Sequence, residues 1–342
     1  MAAKKKAPAK TTKPKTLRAK PRAMKSPGRA PTQVIGIDLG GTKVLAAMVS
    51  ASGKVIEERK VPTELGSGWP GLRKQLIEIC KELMAEHGLA KAVGIGSAGP
   101  LHAPSGTLLD PTNFGWPTAK IAIARELQKA LKIPVRLEND AASAVLAEHW
   151  KGGAGNDCIV VTLGTGLGVG IMVEGKVIRG SRGLHGETGH ILLRPGDRTA
   201  LCNCGNYGCS EALLSGNHFG FRAAARLKMP DIKAKQVSEM ARNGNLPAKA
   251  LFDEYGTMLG EFIFNLTTMF YPKTVILTGS FAEANPHFLP RAEERLRQLL
   301  ERRLKTLPIM PEIRISRLGN RAGCLGAAFV ALNDEYFAPS PA

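Results

Sequence analysis

Gly186-Glu187-Thr188-Gly189-His190 is followed closely by Cys202-Asn203-Cys204-Gly205-Asn206-Tyr207-Gly208-Cys209-Ser210-Glu211. The pattern Cys-x-Cys-x4-Cys with an upstream histidine offers three thiolates and one imidazole. That is a closed tetrahedral set of the kind that holds structural zinc, and four protein ligands leave no position open for catalysis. The plain alternative is a set of free thiols. His190 has two ring nitrogens, so one can bind a metal while the other donates to a ligand. Glu187 and Glu211 bracket the cluster. A packed core needs none of this, whereas a metal-pinned loop that offers carboxylates to a polyhydroxylated ligand does.

Two glycine-rich turns suit phosphate. Asp38-Leu39-Gly40-Gly41-Thr42-Lys43 joins two apolar runs, and Gly164-Thr165-Gly166-Leu167-Gly168 joins two more. Glycine lets a backbone approach an oxygen closely and aim successive N–H groups at it. Thr42 and Thr165 add hydroxyls. Asp38 adds a carboxylate suited to Mg²⁺ through water, because Mg²⁺ keeps much of its hydration shell. Neither turn is a Walker A loop, since no Gly-x-x-x-x-Gly-Lys-Ser/Thr occurs. Each turn alone could be a tight hairpin.

Leu137-Glu138-Asn139-Asp140-Ala141 ends a strand and opens a helix. Open α/β folds bind ligands at that edge. Helix capping alone would need one Asn or Asp. With two present, Asn139 can pair with vicinal hydroxyls, and Asp140 can take the proton of an attacking hydroxyl.

The elements that must position these groups follow from periodicity and turn signals. Strands are predicted over 34–38, 43–50 and 54–61, a meander closed by Ser52-Gly53, and a helix over 72–88. A strand over 92–95, a helix over 118–131 capped by Thr118, a strand over 135–137 and a helix over 140–150 complete the first half. The second half begins with strands over 158–163, 169–173 and 176–179. Helices over 214–227, 234–243 and 247–270, a strand over 274–277, a helix over 291–304, a strand over 312–316 and a helix over 320–332 follow. The order strand-strand-strand-helix-strand therefore occurs twice. Both glycine turns occupy the first hairpin of their copy, so two related lobes would bring them to one cleft.

Composition bounds the function. The 342 residues are 44% hydrophobic, enough for a full core, and no apolar run reaches the roughly 18 residues of a membrane span. The polar start reads as no secretory signal. Cys80, Cys158 and Cys324 stand apart in apolar surroundings and read as buried, inert thiols in a reducing cytoplasm. Eleven of the net +18 charges lie in residues 1–31, which hold no acid, leaving seven for the rest. That Lys/Pro/Ala-rich stretch cannot bury enough surface to order itself and is expected to be a disordered basic tail over 1–32. It would be a solvated tail or a non-specific tether to polyanions; a transit peptide suits its Lys and Pro content less well.

These motifs together resemble the ROK family (repressors, open reading frames, sugar kinases) over about residues 33–333. The resemblance rests on 38–43, 138–141, 164–168, 186–190 and 202–211. It implies an α/β, two-lobed actin/hexokinase-like (ribonuclease H-like) ATPase fold with an inserted structural zinc loop. The smaller lobe would be 33–138 plus 320–334, and the larger 139–319 with its zinc loop at 190–209. It also implies a homodimer and ATP-dependent phosphorylation of a hexose, most often at the 6-hydroxyl.

Carried onto this chain, Asp140 is the general base, and Asn139, Glu187, His190 and Glu211 hold the sugar, with Gly99 and Asn113 as further contacts. Asp38, Gly40, Gly41, Thr42, Lys43, Gly164, Thr165 and Gly166 handle Mg-ATP. Thr278-Gly279-Ser280 resembles the loop at the nucleotide base, with Thr278 where glycine is usual and Gly279 as the contact. Glucose is the first expected acceptor, with N-acetylhexosamine or fructose as alternatives and polyphosphate as an alternative donor. A sugar-responsive regulator of the same family would need an N-terminal helix-turn-helix, which the basic tail does not encode.

Overall fold

The computed structural model describes residues 32–116 and 119–337. The predicted basic tail, apart from Thr32, and the predicted cap Thr118 lie outside them. Among the described residues the chain opens with β1 (Gln33–Leu39), β2 (Lys43–Ser50) and β3 (Val55–Pro62), an antiparallel meander, then α1 (Gly68–His87) and β4 (Val93–Ser97). Three short strands, β5 (Leu101–His102), β6 (Thr107–Leu109) and β7 (Lys120–Ile121), form a small sheet of their own. The first half closes with α2 (Ile123–Leu131) and β8 (Val135–Asn139).

The second half begins with α3 (Asp140–Trp150), β9 (Cys158–Leu163), β10 (Leu167–Val173) and β11 (Lys176–Val177). The helices α4 (Ser210–Leu214), α5 (Gly216–Leu227), α6 (Ala234–Arg242) and α7 (Leu246–Phe270) follow. Last come β12 (Thr274–Thr278), α8 (Asn285–Leu304), β13 (Glu312–Ile315) and α9 (Ala322–Leu332). The two large sheets run β3-β2-β1-β4-β8 and β11-β10-β9-β12-β13. Each is an antiparallel meander extended by two parallel strands, so the repeat expected from the sequence is present.

Burial explains the strand patterns. β1 and β2 are apolar on both faces because helices cover both, whereas the edge strand β3 alternates inside and outside. One face of the first sheet packs on α1 and α2 through Leu72, Leu76 and Leu127. Leu45, Ala47 and Val49 of β2 share a third cluster with Val145 of α3, Leu325 and Ala328 of α9, and Val160 and Ile276 of the second sheet. Helices α3 and α9 therefore fill the space between the two sheets. Their approach requires glycine: a Cβ at Gly36 would lie 2.0 Å from the Cys324 carbonyl, and one at Gly94 would lie 1.8 Å from that of Ala327.

Three boundaries differ most from expectation. The helix predicted over 118–131 starts only at Ile123, because Lys120–Ile121 pairs with Leu108 and Leu109 as β7. The helix predicted over 214–227 is two helices: Ser215 adopts an extended conformation and its side chain caps α5 by accepting from the His218 N–H. Helix α8 begins at Asn285 rather than 291, with Pro286 in its first turn, where proline costs no hydrogen bond. Cys80, Cys158 and Cys324 are buried, and burial pushes each thiol up to about 12, as expected of inert cysteines. Among the described residues no helix is long and apolar enough to cross a membrane.

Candidate active site

The two glycine turns sit at equivalent corners of the two sheets. In the first, the Gly40 N–H donates to the Lys43 carbonyl at 3.1 Å, and the Thr63 hydroxyl donates to the Gly40 carbonyl at 2.6 Å. Thr42 and Lys43 are left exposed at its tip. A Cβ on Gly41 would lie 2.4 Å from the Asn113 carbonyl. The absence of a side chain at Gly41 thus lets Asn113 pack against the first glycine turn, with its side chain exposed. In the second turn, the Gly164 N–H donates to the Gly166 carbonyl at 3.1 Å and the Gly164 carbonyl accepts from Gly216 at 2.8 Å. Gly279, at φ +92, packs so closely that a Cβ would lie 2.3 Å from the Leu163 carbonyl. The loop after β12 and the turn after β9 therefore share one surface with exposed Thr165.

Asp140 is the first residue of α3, at the C-terminal end of β8. Asn139 caps the helix: its Oδ1 accepts from Ala141 at 2.9 Å and Ala142 at 3.1 Å. Capping and ligand binding are compatible here, because Oδ1 is used by the helix while Nδ2 points elsewhere. A Cβ on Gly99 would lie 3.7 Å from that Nδ2 and 2.8 Å from Glu187 Oε1. Gly99, Asn139 and Glu187 are thus brought together. Asp140 Oδ1 accepts from the Ala141 N–H at 2.8 Å, which fixes the carboxyl against the helix N-terminus.

Burial dominates the protonation of the acids. It raises Asp140 from the ordinary carboxyl range, against the hydrogen bond from Ala141 and the charge of His185. Asp38 is raised to about 6 by burial first and by the Asp140 charge second, with Lys43 opposing. Asp38 and Asp140, from different elements, are therefore close enough for their charges to interact. Desolvation raises Glu187 too, with Asp140 and Glu211 adding to it and His185 and His190 opposing. A raised carboxyl is a stronger base once ionised, as general-base catalysis near neutral pH requires.

The sign for stability is the reverse of that for activity. A carboxyl raised in the folded state favours folding below its unfolded value, and that contribution is lost as pH rises through about 6 for Asp38. Activity that needs both acids ionised is lost in the other direction. We expect kcat/KM to rise with pH through the acid range and to fall at least tenfold per unit well below about pH 6, where Asp38 is protonated. A profile that stays level down to pH 5 would contradict this assignment.

The metal-type cluster is assembled. His190, Cys202, Cys204 and Cys209 place one ligand atom each within 4.8 Å of one another. His190 Nδ1 and Cys202 Sγ are 3.4 Å apart, and Cys204 Sγ and Cys209 Sγ are 3.7 Å apart. Zinc–thiolate bonds of about 2.3 Å in a tetrahedron require sulfur atoms about 3.7 Å apart, so the set fits that ion. Nδ1 faces the cluster, leaving Nε2 of His190 for a second partner. The loop is not held by the cluster alone, since Leu193, Ala200, Cys202 and Cys209 are all buried in the main core. Glu211 links this loop to the second glycine turn: Oε2 accepts from the Leu167 N–H at 3.1 Å, while Oε1 accepts from Cys202 Sγ at 3.6 Å.

The structure adds two groups that the sequence reading missed. His185 Nε2 donates to the Val169 carbonyl at 3.0 Å, and its buried Nδ1 has no hydrogen-bond partner. Its charge bears on both Asp140 and Glu187. Its place two residues before Glu187 was the available signal. Gly323 of α9 lies against Asp38, where a Cβ would sit 2.6 Å from the carboxyl carbon. Nothing in its own type announced a site.

The model of the ROK family matches residues 34–334. A glucokinase of Halalkalibacterium halodurans is 28% identical over 326 residues, covering 88% of this chain and 95% of that protein. An N-acetylmannosamine kinase of Salmonella heidelberg is 30% identical over 301 residues, covering 88% and 98%. A ROK family glucokinase from Streptomyces griseus, solved with glucose and AMPPNP, is 31% identical and superimposes with a TM-score of 0.72 over 87% of this chain and 99% of that one. With a matched model spanning nearly every described residue, and with the two sheets, paired turns and Cys/His loop in place, this chain belongs to the ROK family.

Proposed function

We propose that the protein is a Mg-ATP-dependent hexokinase that phosphorylates the 6-hydroxyl of a hexose, with glucose as the first candidate. The observation that carries this reading is the position of Asp140. It is a half-buried carboxyl at a strand end, raised above its ordinary range, next to Asn139, whose Nδ2 lies with Glu187 beside Gly99, and close enough to Asp38 and Glu187 for their charges to interact. Family membership and the glucokinase relatives support it.

In this reading the two sheets are two lobes, 33–138 with 320–334 and 139–319, closing on the ligands. Asn139, Glu187, His190 and Glu211 orient the sugar, with Gly99 leaving room for it. Asp140 accepts the proton of the 6-hydroxyl as its oxygen bonds to the γ-phosphorus and the bond to the bridging oxygen breaks. ADP is the leaving group. Such transfer depends on positioning and charge stabilisation more than on covalent chemistry. Gly40, Gly41, Thr42 and Lys43, with Gly164, Thr165, Gly166 and Gly279 opposite, hold the nucleotide. Asp38 would hold Mg²⁺ through water, which when bound neutralises phosphate charge. His190, Cys202, Cys204 and Cys209 would hold Zn²⁺, whose closed site gives the loop its shape and leaves His190 Nε2 to the sugar. Closure excludes water, whose hydroxyl competes as acceptor.

The N-acetylmannosamine kinase relative keeps the acceptor open within the neutral hexoses and their N-acetyl derivatives. Polyphosphate is kept as an alternative donor only as a parallel arm of the test, because the cavity of about 340 Å³ beside the first turn is lined by Glu58, paired with Arg321 at 2.8 Å, as well as by Lys43 and Lys60. A coupled assay of ADP release over a hexose panel, with polyphosphate as a parallel donor, tests the proposal. We expect hexose-dependent ADP formation with one sugar 6-phosphate per ADP. A protein that releases no ADP with any sugar of the panel would overturn it.

A further inference from the structure

Three parts of the chain meet directly behind the base. Glu138, the residue before Asn139, is fully buried. Arg179 leads out of β11 toward Glu187 and His190. Tyr336 lies in the turn that follows α9. The Arg179 guanidinium pairs with Glu138 Oε2 and donates to the Tyr336 hydroxyl at 2.6 Å. That hydroxyl donates in turn to Glu138 Oε2 at 2.9 Å. The guanidinium also lies over two rings, 5.0 Å from the centre of Tyr336 and 5.6 Å from that of Phe337. The other carboxylate oxygen, Oε1, accepts the backbone N–H of Asn139 at 2.8 Å.

The C-terminal turn is fastened along β8 by a second set of contacts. Asp334 pairs with Arg136 at 3.0 Å and with Lys91 at 2.9 Å. Arg136 also donates to the Ala331 carbonyl at 2.9 Å. Arg136 and Glu138 are two apart on one strand and so share a face. The segment after α9 therefore holds one face of β8 up to the residue that fixes the helix cap.

We infer that Tyr336, acting through Arg179 and Glu138, is a positioning residue for the base: it locks the β8–α3 junction, and with it Asp140, to the segment that carries Glu187 and His190. Burial and the Glu138 charge raise the Tyr336 phenol well above its ordinary range, so it remains a donor. A buried carboxylate pairs strongly only when its lone pairs are satisfied, and here both oxygens are engaged, Oε1 by the adjacent Asn139 N–H and Oε2 from two distant segments. The Asn139 N–H held by Oε1 is one peptide from Asp140, and misplacement of a reacting group by about 1 Å can cost about a hundredfold in rate.

The inference rests on the hexokinase reading for its kinetic arm, and a second arm is independent of it. Tyr336→Phe keeps both ring contacts with Arg179 and removes only the hydroxyl. We expect it to lower kcat about tenfold while leaving the hexose KM within about twofold. In an Asp140→Asn background the same change should lower kcat by less than about twofold, because a residue that works through Asp140 has nothing left to position. Equal losses in the two backgrounds, or no loss in either, would overturn the assignment. Amide exchange of the peptide containing Asn139 is the independent arm. Tyr336→Phe should speed it about tenfold, and unchanged exchange would overturn the proposal whether or not the wild type phosphorylates a sugar. If the wild type shows no sugar kinase activity while exchange responds as expected, the functional reading fails and the strut stands.

Discussion

Asp140→Asn is expected to bind hexose with near-normal affinity and to retain only about 10⁻² to 10⁻⁴ of wild-type turnover. The change is nearly isosteric. An Asn carbonyl can still accept the Ala141 N–H that Asp140 now accepts at 2.8 Å. What disappears is the ability to take a proton. The fold should not suffer, because desolvation already disfavours the ionised carboxylate at this half-buried position and removing a raised acid relieves that cost at neutral pH. The melting temperature is therefore expected to be unchanged or slightly higher, which separates loss of chemistry from loss of structure. Equilibrium sugar binding by calorimetry and steady-state kcat check the two halves. A variant with turnover within a factor of three of wild type would remove Asp140 from the role of base.

Cys204→Ser is expected to have the next largest effect, on the loop and through it on the sugar. A serine hydroxyl is a poor zinc ligand, so the variant should purify without the metal that wild type is expected to carry at about one ion per chain. Structural zinc binding in small peptides is worth on the order of 10 kcal/mol, which sets a ceiling here. The loss should be smaller, because Leu193, Ala200, Cys202 and Cys209 still anchor the loop in the core. The effect should appear first at His190, whose Nδ1 is held 3.4 Å from Cys202 Sγ. With the imidazole free to rotate, the hexose KM is expected to rise about tenfold or more and the melting temperature to fall by several degrees. Metal content, KM and thermal denaturation with and without a chelator measure this. Wild-type protein that is metal-free and fully active would refute the structural role of the cluster.

Much of this site is legible in the sequence. The paired strand patterns placed both glycine turns at first hairpins, and the sheets have that order. The Cys/His spacing predicted a convergent cluster, and its ligand atoms lie within 4.8 Å of one another. Asn139 and Asp140 were assigned to a strand end, and that is where β8 meets α3.

What was hidden depends on contacts between distant segments or on elements too short to carry a period. β5 and β7 have two residues each, and no alternation can reveal them. The break at Ser215 lies inside an apolar run that reads as one helix. Gly323 matters only because α9 lies against Asp38, and Tyr336 only because the chain returns to β8 nearly two hundred residues after Glu138. Glu138 itself was visible inside the motif, yet its role comes from partners at residues 179 and 336. Asn113 shows the converse: its place among the motifs was foreseen, while its close contact with Gly41 belongs to the fold.

The central claim is that one carboxylate faces a sugar hydroxyl in a space shared by both phosphate turns and the Cys/His loop. A crystal structure of the wild-type protein with a non-hydrolysable ATP analogue and its preferred hexose measures this directly. The account predicts an Asp140 oxygen within about 2.6–3.2 Å of the 6-hydroxyl, with the terminal phosphate on the far side of that oxygen and touching both turns. An Asp140 carboxylate directed away from every sugar hydroxyl, or a nucleotide bound clear of Gly41 and Gly166, would contradict it.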